Sequence, residues 1–302
     1  MACGDESRCF ICLQGGPRLM QSGCACRNDA GLAHLDCRIQ AAETLVARMR
    51  DTKWWFTCQT CEQVFTGTMF SGLAHAWWSR VCDRAREDPD RIAAASNLAT
   101  SFCLQGKHAE AEHMHREVLV IWKSVLWAEH PDTMTAASNL AICLYRQEKY
   151  TEAEEMQRAV LVARKRVLGE QHPATLAATS NLASSLFSQE KYAEAEEMQR
   201  GVLAVNQQVL GAEHADTLTA ANNLATCVSS QGKHAEAEEM QRGVLAVQQR
   251  VLGAEHPDTL TTESNLADFL SHQKKYVQAE VLQRKVLVVR KRVQGPEHPC
   301  TM

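Results

Sequence analysis

The chain has 302 residues, of which 45% are hydrophobic and 23% are charged. This composition is typical of a soluble protein long enough for two domains, and no apolar run approaches the roughly 18 residues of a membrane-spanning helix. The net charge of -4, without a basic patch, argues against nucleic acid as a partner. The amino terminus lacks an apolar signal core, so we expect a cytoplasmic protein, with the nucleus as the other open location.

Cysteine and histidine are concentrated between residues 9 and 61. Eight of them form four close pairs: Cys9 and Cys12, Cys24 and Cys26, His34 and Cys37, Cys58 and Cys61. Thiolate and imidazole are the ligands that zinc prefers, and a short gap lets both members of a pair reach one ion. Four pairs therefore predict two tetrahedral, structural zinc sites. A segment this small buries little apolar surface, so we expect its fold to depend on metal.

This ligand order resembles the RING-CH type of zinc finger, with a Cys-x-Cys second pair and a histidine in fifth place, over about residues 7–66. The resemblance implies a cross-brace of two zinc ions: Cys9, Cys12, His34 and Cys37 hold the first, and Cys24, Cys26, Cys58 and Cys61 hold the second. A PHD finger shares the order but usually has a shorter gap before the histidine than residues 27–33. A disulfide framework is disfavoured without a secretory signal.

After this zinc module, assigned to residues 1–66, one amphipathic helix is predicted within residues 66–90. Apolar residues recur there at helical spacing, including Phe70, Trp77 and Val81. We interpret residues 67–89 as a linker that covers the first repeat of the following array, and we attribute Trp77 and Trp78 to packing. The six cysteines outside the ligand set are predicted to be small buried residues.

From residue 90 onwards the sequence repeats with a fixed period of about 42 residues. Two residue types mark the period: Asn97, Asn139, Asn181, Asn223 and Asn265, and His130, His172, His214, His256 and His298. Each period holds two helical patterns, with a turn such as Gln231-Gly232-Lys233 between them and a left-handed Gly253 after the second. The pattern predicts a mostly α fold, an α-solenoid over residues 90–302 with five complete repeats and the start of a sixth.

These repeats resemble the tetratricopeptide (TPR) repeats of kinesin light chains, which have the same period. The resemblance implies that the first helices line a concave groove, with Asn97, Asn139, Asn181, Asn223 and Asn265 facing into it. Each amide both donates and accepts hydrogen bonds, so the row suits the backbone of an extended peptide or protein. The alternative is that these amides bond only adjacent backbone or solvent.

Three further features of the array carry predictions. The recurring histidines precede a helix-opening residue and are predicted to be caps or packing residues rather than ligands. The recurring EAEEMQR runs are predicted to be solvated outer faces. The last helix has no cap after it, so we expect an exposed apolar face there, and either self-association or a continuation, through Val281, Leu282, Val286, Leu287 and Val289.

Together these features predict a zinc-binding protein-interaction protein. The RING-CH resemblance implies a ubiquitin ligase that binds a ubiquitin-conjugating enzyme and selects substrate through its TPR groove, with no covalent catalytic residue of its own. Ile11, with Trp54 or Trp55, is expected to contact the conjugating enzyme. Glu62 stands where active RING modules often place Arg or Lys, so the alternative is a noncatalytic adaptor with a structural zinc finger.

Overall fold

The computed structural model describes residues 8–14, 19–21 and 32–294, and the chain divides into two compact units, Met1–Lys149 and Tyr150–Met302. The first unit begins with a small antiparallel sheet, in which strand β1 (Leu19–Gln21) pairs with strand β2 (Leu32–His34). Helix α1 (Leu35–Met49), a short 3-10 helix (Thr52–Trp55) and helix α2 (Gly67–Val81) follow.

The remaining helices follow the repeat period that the sequence predicts. The first unit continues with α3 (Pro89–Leu104), α4 (His108–Val125) and α5 (Pro131–Arg146). The second unit contains α6 (Tyr150–Leu168), α7 (Pro173–Ser188), α8 (Tyr192–Val209), α9 (Ala215–Ser230), α10 (His234–Val251), α11 (Pro257–His272) and α12 (Tyr276–Gln294). The mostly α fold class and its TPR-type helix pairs are confirmed. Residues 295–302, assigned to the start of a sixth repeat, lie outside the described residues.

Left-handed residues end the helices where the sequence predicts breaks. Gly232 has a φ of 83° in the turn between α9 and α10, and Gly253 has a φ of 93° after α10. Glycine adopts this conformation at little cost because it has no Cβ. Glu148 and Glu190 occupy the position of Gly232 in other repeats and are also left-handed, with φ of 61° and 62°. The turn geometry is therefore imposed even where the residue does not favour it.

Helix α2 shares one hydrophobic core with the N-terminal module and with α3. Its predicted apolar residues are buried, including Phe70, Trp77 and Val81. The ring of Trp77 stacks on that of Trp55 at 6.1 Å between centroids, and Ala94 of α3 belongs to the same cluster. Burial of each large apolar side chain contributes about 1.5–3 kcal/mol. The packing role predicted for Trp77 is confirmed, and α2 is an integral part of this core rather than a spacer.

The exposed apolar face predicted on α12 is only partly correct. Val281 and Leu287 are exposed, whereas Val286 is buried. Leu282 packs against the cluster that contains Leu266 of α11. Residues at a spacing of three or four share one side of a helix, so Leu282 and Val286 follow the side that packs on α11.

The cysteines outside the predicted ligand set include buried residues of the helical core. Cys103, Cys143 and Cys227 are buried as predicted, and Cys82 is half-buried. Burial raises the pKa of the Cys227 thiol to about 11, with a further contribution from the nearby Glu196 carboxylate. This thiol is therefore protonated at neutral pH. Cys3 and Cys300 lie outside the described residues.

Candidate metal centre and interaction groove

Four of the predicted zinc ligands meet at one place. Cys9 and Cys12 lie in the loop of residues 8–14, His34 ends β2, and Cys37 lies in the first turn of α1. Their ligand atoms all lie within 4.8 Å of one another. His34 Nδ1 is 3.4 Å from Cys12 Sγ and 3.8 Å from Cys37 Sγ. Zinc bonds of about 2.0–2.3 Å place tetrahedral ligands roughly 3.5 Å apart, so the cluster has dimensions suited to one zinc ion.

The loops around Cys9 and Cys58 share an unusual backbone. The N–H of Leu13 donates to the carbonyl of Cys9 at 2.8 Å, and the N–H of Glu62 donates to the carbonyl of Cys58 at 2.8 Å. Leu13 and Glu62 each follow the second cysteine of their pair, and both have positive φ, 62° and 54°. Residues with a Cβ rarely adopt this conformation without a structural reason. Both loops therefore have the same turn, which brings the two cysteines of each pair together.

Backbone N–H groups also approach the first sulfur of each pair. His34 N lies 3.5 Å from Cys9 Sγ, and Thr60 N lies 3.5 Å from Cys58 Sγ. Such donors stabilise a thiolate, the form of cysteine that binds metal. Cys58 and Cys61 are half of the second predicted ligand set. The other half, Cys24 and Cys26, lies outside the described residues.

The thiols of the first cluster oppose one another's ionisation. Burial raises the pKa of Cys9, but hydrogen bonds from backbone groups of Cys12, His34 and Ile11 outweigh it and lower that pKa to about 6. Burial and the neighbouring sulfurs of Cys12 and Cys9 raise the pKa of Cys37 to about 12. Three cysteines this close together can all ionise only beside a cation. The donor set and its spacing fit zinc.

The three residues predicted to contact a conjugating enzyme differ in exposure. Ile11 is 38% exposed, so it is available for contact. Trp54 is only 9% exposed and Trp55 only 5%. Trp55 is covered by its stacking on Trp77 of α2. The assignment of Trp54 and Trp55 to an exposed contact surface is therefore wrong, since both side chains are buried.

Glu62 presents a carboxylate at the surface of the second cysteine loop. Its side chain is 67% exposed and lies 3.5 Å from the Nζ of Lys53. The Lys53 ammonium also lies 4.7 Å from the centre of the Trp54 ring. Lys53 is shared between Glu62 and Asp51, whose carboxylate lies 3.8 Å from the same Nζ, and exposed pairs of this kind contribute little to stability.

The recurring histidines cap the first helices. The Nδ1 atom of each accepts a hydrogen bond from the backbone N–H two residues later, at 3.1–3.2 Å, in His130, His172, His214 and His256. This bond satisfies one of the N–H groups that a helix start leaves without a partner. The predicted capping role is confirmed for these four, and His298 lies outside the described residues.

The recurring asparagines occupy different surroundings. Asn97 donates to the carbonyl of Ala93 in its own helix at 2.9 Å, and Asn139 approaches Ser96 Oγ at 3.4 Å. In the second unit, Asn181 and Asn223 line one cavity of about 350 Å³ between α7, α8 and α9. Asn265 is half-buried. The structure thus brings Asn181 and Asn223 to one groove, with Asn97 already bonded within its helix.

The walls of this cavity are mainly apolar. Val202 and Val209 of α8 face it, together with Leu210 directly after α8 and Leu176 of α7. Val209 is 57% exposed. Apolar walls with a few polar groups are typical of ligand-binding clefts. Val209 was not predicted to line the groove, although a valine recurs at the same repeat position in Val125, Val167 and Val251.

A set of buried glutamates links successive repeats, contrary to the prediction that the EAEEMQR runs are solvated. Glu154 is 8% exposed, and its carboxylate accepts hydrogen bonds from Arg158, Gln189 and Lys191 at 2.7–2.9 Å. The same arrangement recurs around Glu112, Glu196 and Glu238. We call each a glutamate clasp: a glutamate, the arginine four residues later, and the Gln-x-Lys of the following turn.

The clasps hold their glutamates ionised. Burial raises the pKa of Glu154, but hydrogen bonds from Lys191, Gln189 and Arg158 outweigh it and lower the pKa to about 2. Hydrogen bonds from Lys275 are the largest influence on Glu238 and lower its pKa to about 2 despite burial. The glutamate that directly follows the clasp glutamate in these runs, such as Glu155 after Glu154, is exposed as predicted.

Family models match most of the helical array. Tetratricopeptide repeat models match residues 90–161, 132–200 and 175–250, and a further tetratricopeptide repeat model matches residues 259–299. No curated protein matches the chain at a significant level. None of the helices within residues 32–294 has the length and apolar character needed to cross a membrane.

Solved structures share the fold. The nearly identical TPR-like repeats of a candidate kinesin light chain from Podospora anserina align at 26% identity and a TM-score of 0.59, over 68% of this chain and 96% of theirs. BtubC (BKLC) from P. vanneervenii aligns at 21% identity and a TM-score of 0.57, over 88% and 94%. NprR in complex with its cognate peptide NprX aligns at 14% identity and a TM-score of 0.58, over 87% and 68%.

Proposed function

Because the chain belongs to the tetratricopeptide repeat family, we propose that its repeats bind a protein substrate and that its N-terminal module is a RING-CH-type ubiquitin ligase with two structural zinc ions. In this proposal the module occupies residues 1–66, and the zinc ligands are the four pairs from Cys9 to Cys61. The thiolate chemistry requires a reducing compartment such as the cytoplasm.

The observation that carries the proposal is the cluster of Cys9, Cys12, His34 and Cys37. It joins the first and third ligand pairs, which is the pairing that the cross-brace requires. The matching turn around Cys58 supports a second ion held with Cys24, Cys26 and Cys61. Bound zinc supplies positive charge and fixes the loops. With four protein ligands each, the ions would have a structural role and would take no part in the chemistry.

The chain's own part in ubiquitin transfer would be to bind and orient. Ile11, in the first loop, and the neighbouring Leu13, which is 70% exposed, offer an apolar surface for a conjugating enzyme. Holding the enzyme's ubiquitin thioester close to a substrate lysine raises the rate without any covalent step by this chain. The substrate would lie in the groove near Asn181 and Asn223. NprR, which shares the fold, was solved with its cognate peptide.

The test is a reconstituted ubiquitin assay with zinc-loaded full chain, activating enzyme, ATP and a panel of conjugating enzymes. We expect chain formation with at least one conjugating enzyme, reduced roughly tenfold or more by Ile11→Ala because it removes an interface anchor. Thr60→Ala is the matched control, since Thr60 stands in the second loop where Ile11 stands in the first. Asn181→Ala should retain chain formation. An absence of chains with every enzyme would refute the ligase.

A noncatalytic adaptor is the second candidate, and Glu62 favours it. An exposed carboxylate cannot form the cationic bridge to ubiquitin that active RING modules often provide, and Glu62 is instead close to Lys53. In that case the zinc module would only dock a partner while the TPR repeats hold another. The same assay separates the two functions, because an adaptor would bind zinc and partners without producing ubiquitin chains.

A further inference from the structure

The outward-facing side of α12 differs from that of the other second helices of unit Tyr150–Met302. Val277, Val281 and Val288 are 76%, 63% and 68% exposed. The residues at the same repeat positions are Thr151, Glu155 and Val162 in α6, Ala193, Glu197 and Ala204 in α8, and Ala235, Glu239 and Ala246 in α10. Of these four helices, α12 alone carries valine at all three positions. Because Val162 is also exposed, at 68%, exposure at this position is not a consequence of being in the last helix.

An ion pair lies in the middle of this face. Glu280 and Arg284 pair at 2.6 Å, with side chains 59% and 78% exposed. Tyr276 and Leu287, on the adjoining edge of the helix, are 64% and 41% exposed. Residues 276, 280, 284 and 287 are spaced by about one helical turn, so they lie along one line. The face thus has an acid and a base at its centre and apolar side chains towards both ends.

Within residues 32–294, Glu280 has fewer partners than the glutamate at the same position of the preceding repeat. It occupies the repeat position of Glu238, which binds Arg242, Gln273 and Lys275. Within residues 32–294, the ion pair recorded for Glu280 is the one with Arg284. Two oxygens of a carboxylate accept about four hydrogen bonds, so Glu280 is able to accept a second cation.

We propose that this face of α12 binds the same face of a second copy of the chain, with the two helices antiparallel. A two-fold axis midway between residues 280 and 284 brings Glu280 of each copy opposite Arg284 of the other. The same axis brings Val277 of each copy opposite Leu287 of the other. Acid then faces base and apolar faces apolar on both sides, which is the self-complementarity that a two-fold interface requires.

The choice of a second copy follows from this symmetry. A partner surface with charges of one sign would repel either Glu280 or Arg284, whereas an identical face places an opposite charge against each of them. Valine at three exposed positions has no role in packing α12 on α11, since the side facing α11 is formed by residues such as Leu282. Apolar side chains grouped on a surface are typical of an interaction site. The interface needs neither ubiquitin transfer nor an occupied groove.

Charge-reversal variants of the full, zinc-loaded chain test the proposal by sedimentation equilibrium in reducing buffer. We expect a wild-type dimer, and a dissociation constant raised roughly tenfold or more by Glu280→Arg or by Arg284→Glu, because each places like charges opposite each other. An equimolar mixture of the two variants should associate with near wild-type affinity, since one then carries two arginines and the other two glutamates. The double variant Glu280→Arg/Arg284→Glu should also dimerise with near wild-type affinity.

A second set of variants tests the apolar part. Val281→Glu introduces the glutamate that α6, α8 and α10 carry at this position. It should also raise the dissociation constant of the dimer roughly tenfold. Val162→Glu, at an equally exposed site on α6, is the control and should leave it unchanged. A monomeric wild type at all concentrations would overturn the proposal. So would dimers of Glu280→Arg and Arg284→Glu that are each as tight as wild type and do not gain affinity on mixing.

Discussion

At the metal centre, His34 connects the cysteine loop to α1 because it ends β2 immediately before the helix begins at Leu35. Cys37 then projects from the first turn of the same helix, and both reach the sulfur of Cys12. The short segment from His34 to Cys37 therefore brings an imidazole and a thiol to the same cluster. Burial, together with the neighbouring thiols of Cys12 and Cys9, raises the pKa of Cys37, so a bound cation would favour its ionisation.

Replacing one ligand should remove one ion. We expect zinc-loaded wild type to hold two zinc ions per chain, and Cys37→Ser to hold about one, because a serine hydroxyl is a poor zinc ligand at neutral pH. The metal is measured by mass spectrometry after gel filtration. Cys103→Ser, which changes a buried thiol outside the ligand set, is the control and should keep both ions. Retention of two ions by Cys37→Ser would contradict the ligand assignment.

The cluster of Cys9, Cys12, His34 and Cys37 could be predicted from the sequence because the chemistry and short spacing of these residues are local properties. The burial of Trp55 was not, because it depends on α2, whose Trp77 stacks on it from further along the chain. A tryptophan near a zinc loop suits both a contact surface and a core. The stacking of Trp77 on Trp55 places Trp55 in the core.

At the scale of elements, the glutamate clasps explain how helix pairs are held in register beyond their apolar contacts. The repeat period predicted the helices, their caps and their turns. The period did not predict that Glu154 is buried while Glu155 is exposed, because the two glutamates are adjacent and recur together in the same EAEEMQR run. Gln189 and Lys191, which bind Glu154, lie 35 and 37 residues later in the sequence. They reach Glu154 only because successive helix pairs stack.

Glu154→Ala should therefore destabilise the protein while Glu155→Ala should not. We expect a loss of about 1–3 kcal/mol in the free energy of unfolding for Glu154→Ala, because Lys191 loses its buried acceptor while Arg158 and Gln189 each lose one of theirs. Glu155→Ala, at an exposed position of the same run, should change it by roughly 0.5 kcal/mol or less. Urea denaturation followed by circular dichroism measures both. Equal effects would show that the clasp does not stabilise the fold.

The pH dependence of this difference has a defined sign. The pKa of Glu154 is lowered from 4.5 to about 2 in the folded protein, so the clasp contributes fully above pH 4.5 and is lost as the pH falls towards 2. The gap in stability between wild type and Glu154→Ala should narrow over that range, and Glu155→Ala should show no such narrowing. A gap that stays constant from pH 7 to pH 3 would contradict the ionised clasp.

At the scale of the molecule, the N-terminal module and the first repeat share one hydrophobic core in the unit Met1–Lys149. Cys9 and Cys58 are buried in the same cluster as Trp55, Met69 and Trp77, and Ala94 extends it into α3. The ligand spacing and the repeat period predicted two parts joined by a linker over residues 67–89. In the structure, α2 packs on both parts, since its side chains share one cluster with Cys9, Cys58 and Ala94.

Zinc removal should consequently loosen more than the metal loops. Structural zinc sites contribute roughly 10–16 kcal/mol of apparent binding energy, so chelation should speed amide hydrogen exchange throughout α1, α2 and the start of α3. Helices α7 to α11 are held by their own apolar contacts and clasps, so their exchange should not change, and added zinc should restore the slow exchange of α2. Exchange in α2 that is equally slow with and without chelator would show that Trp77 and its neighbours hold the core without metal.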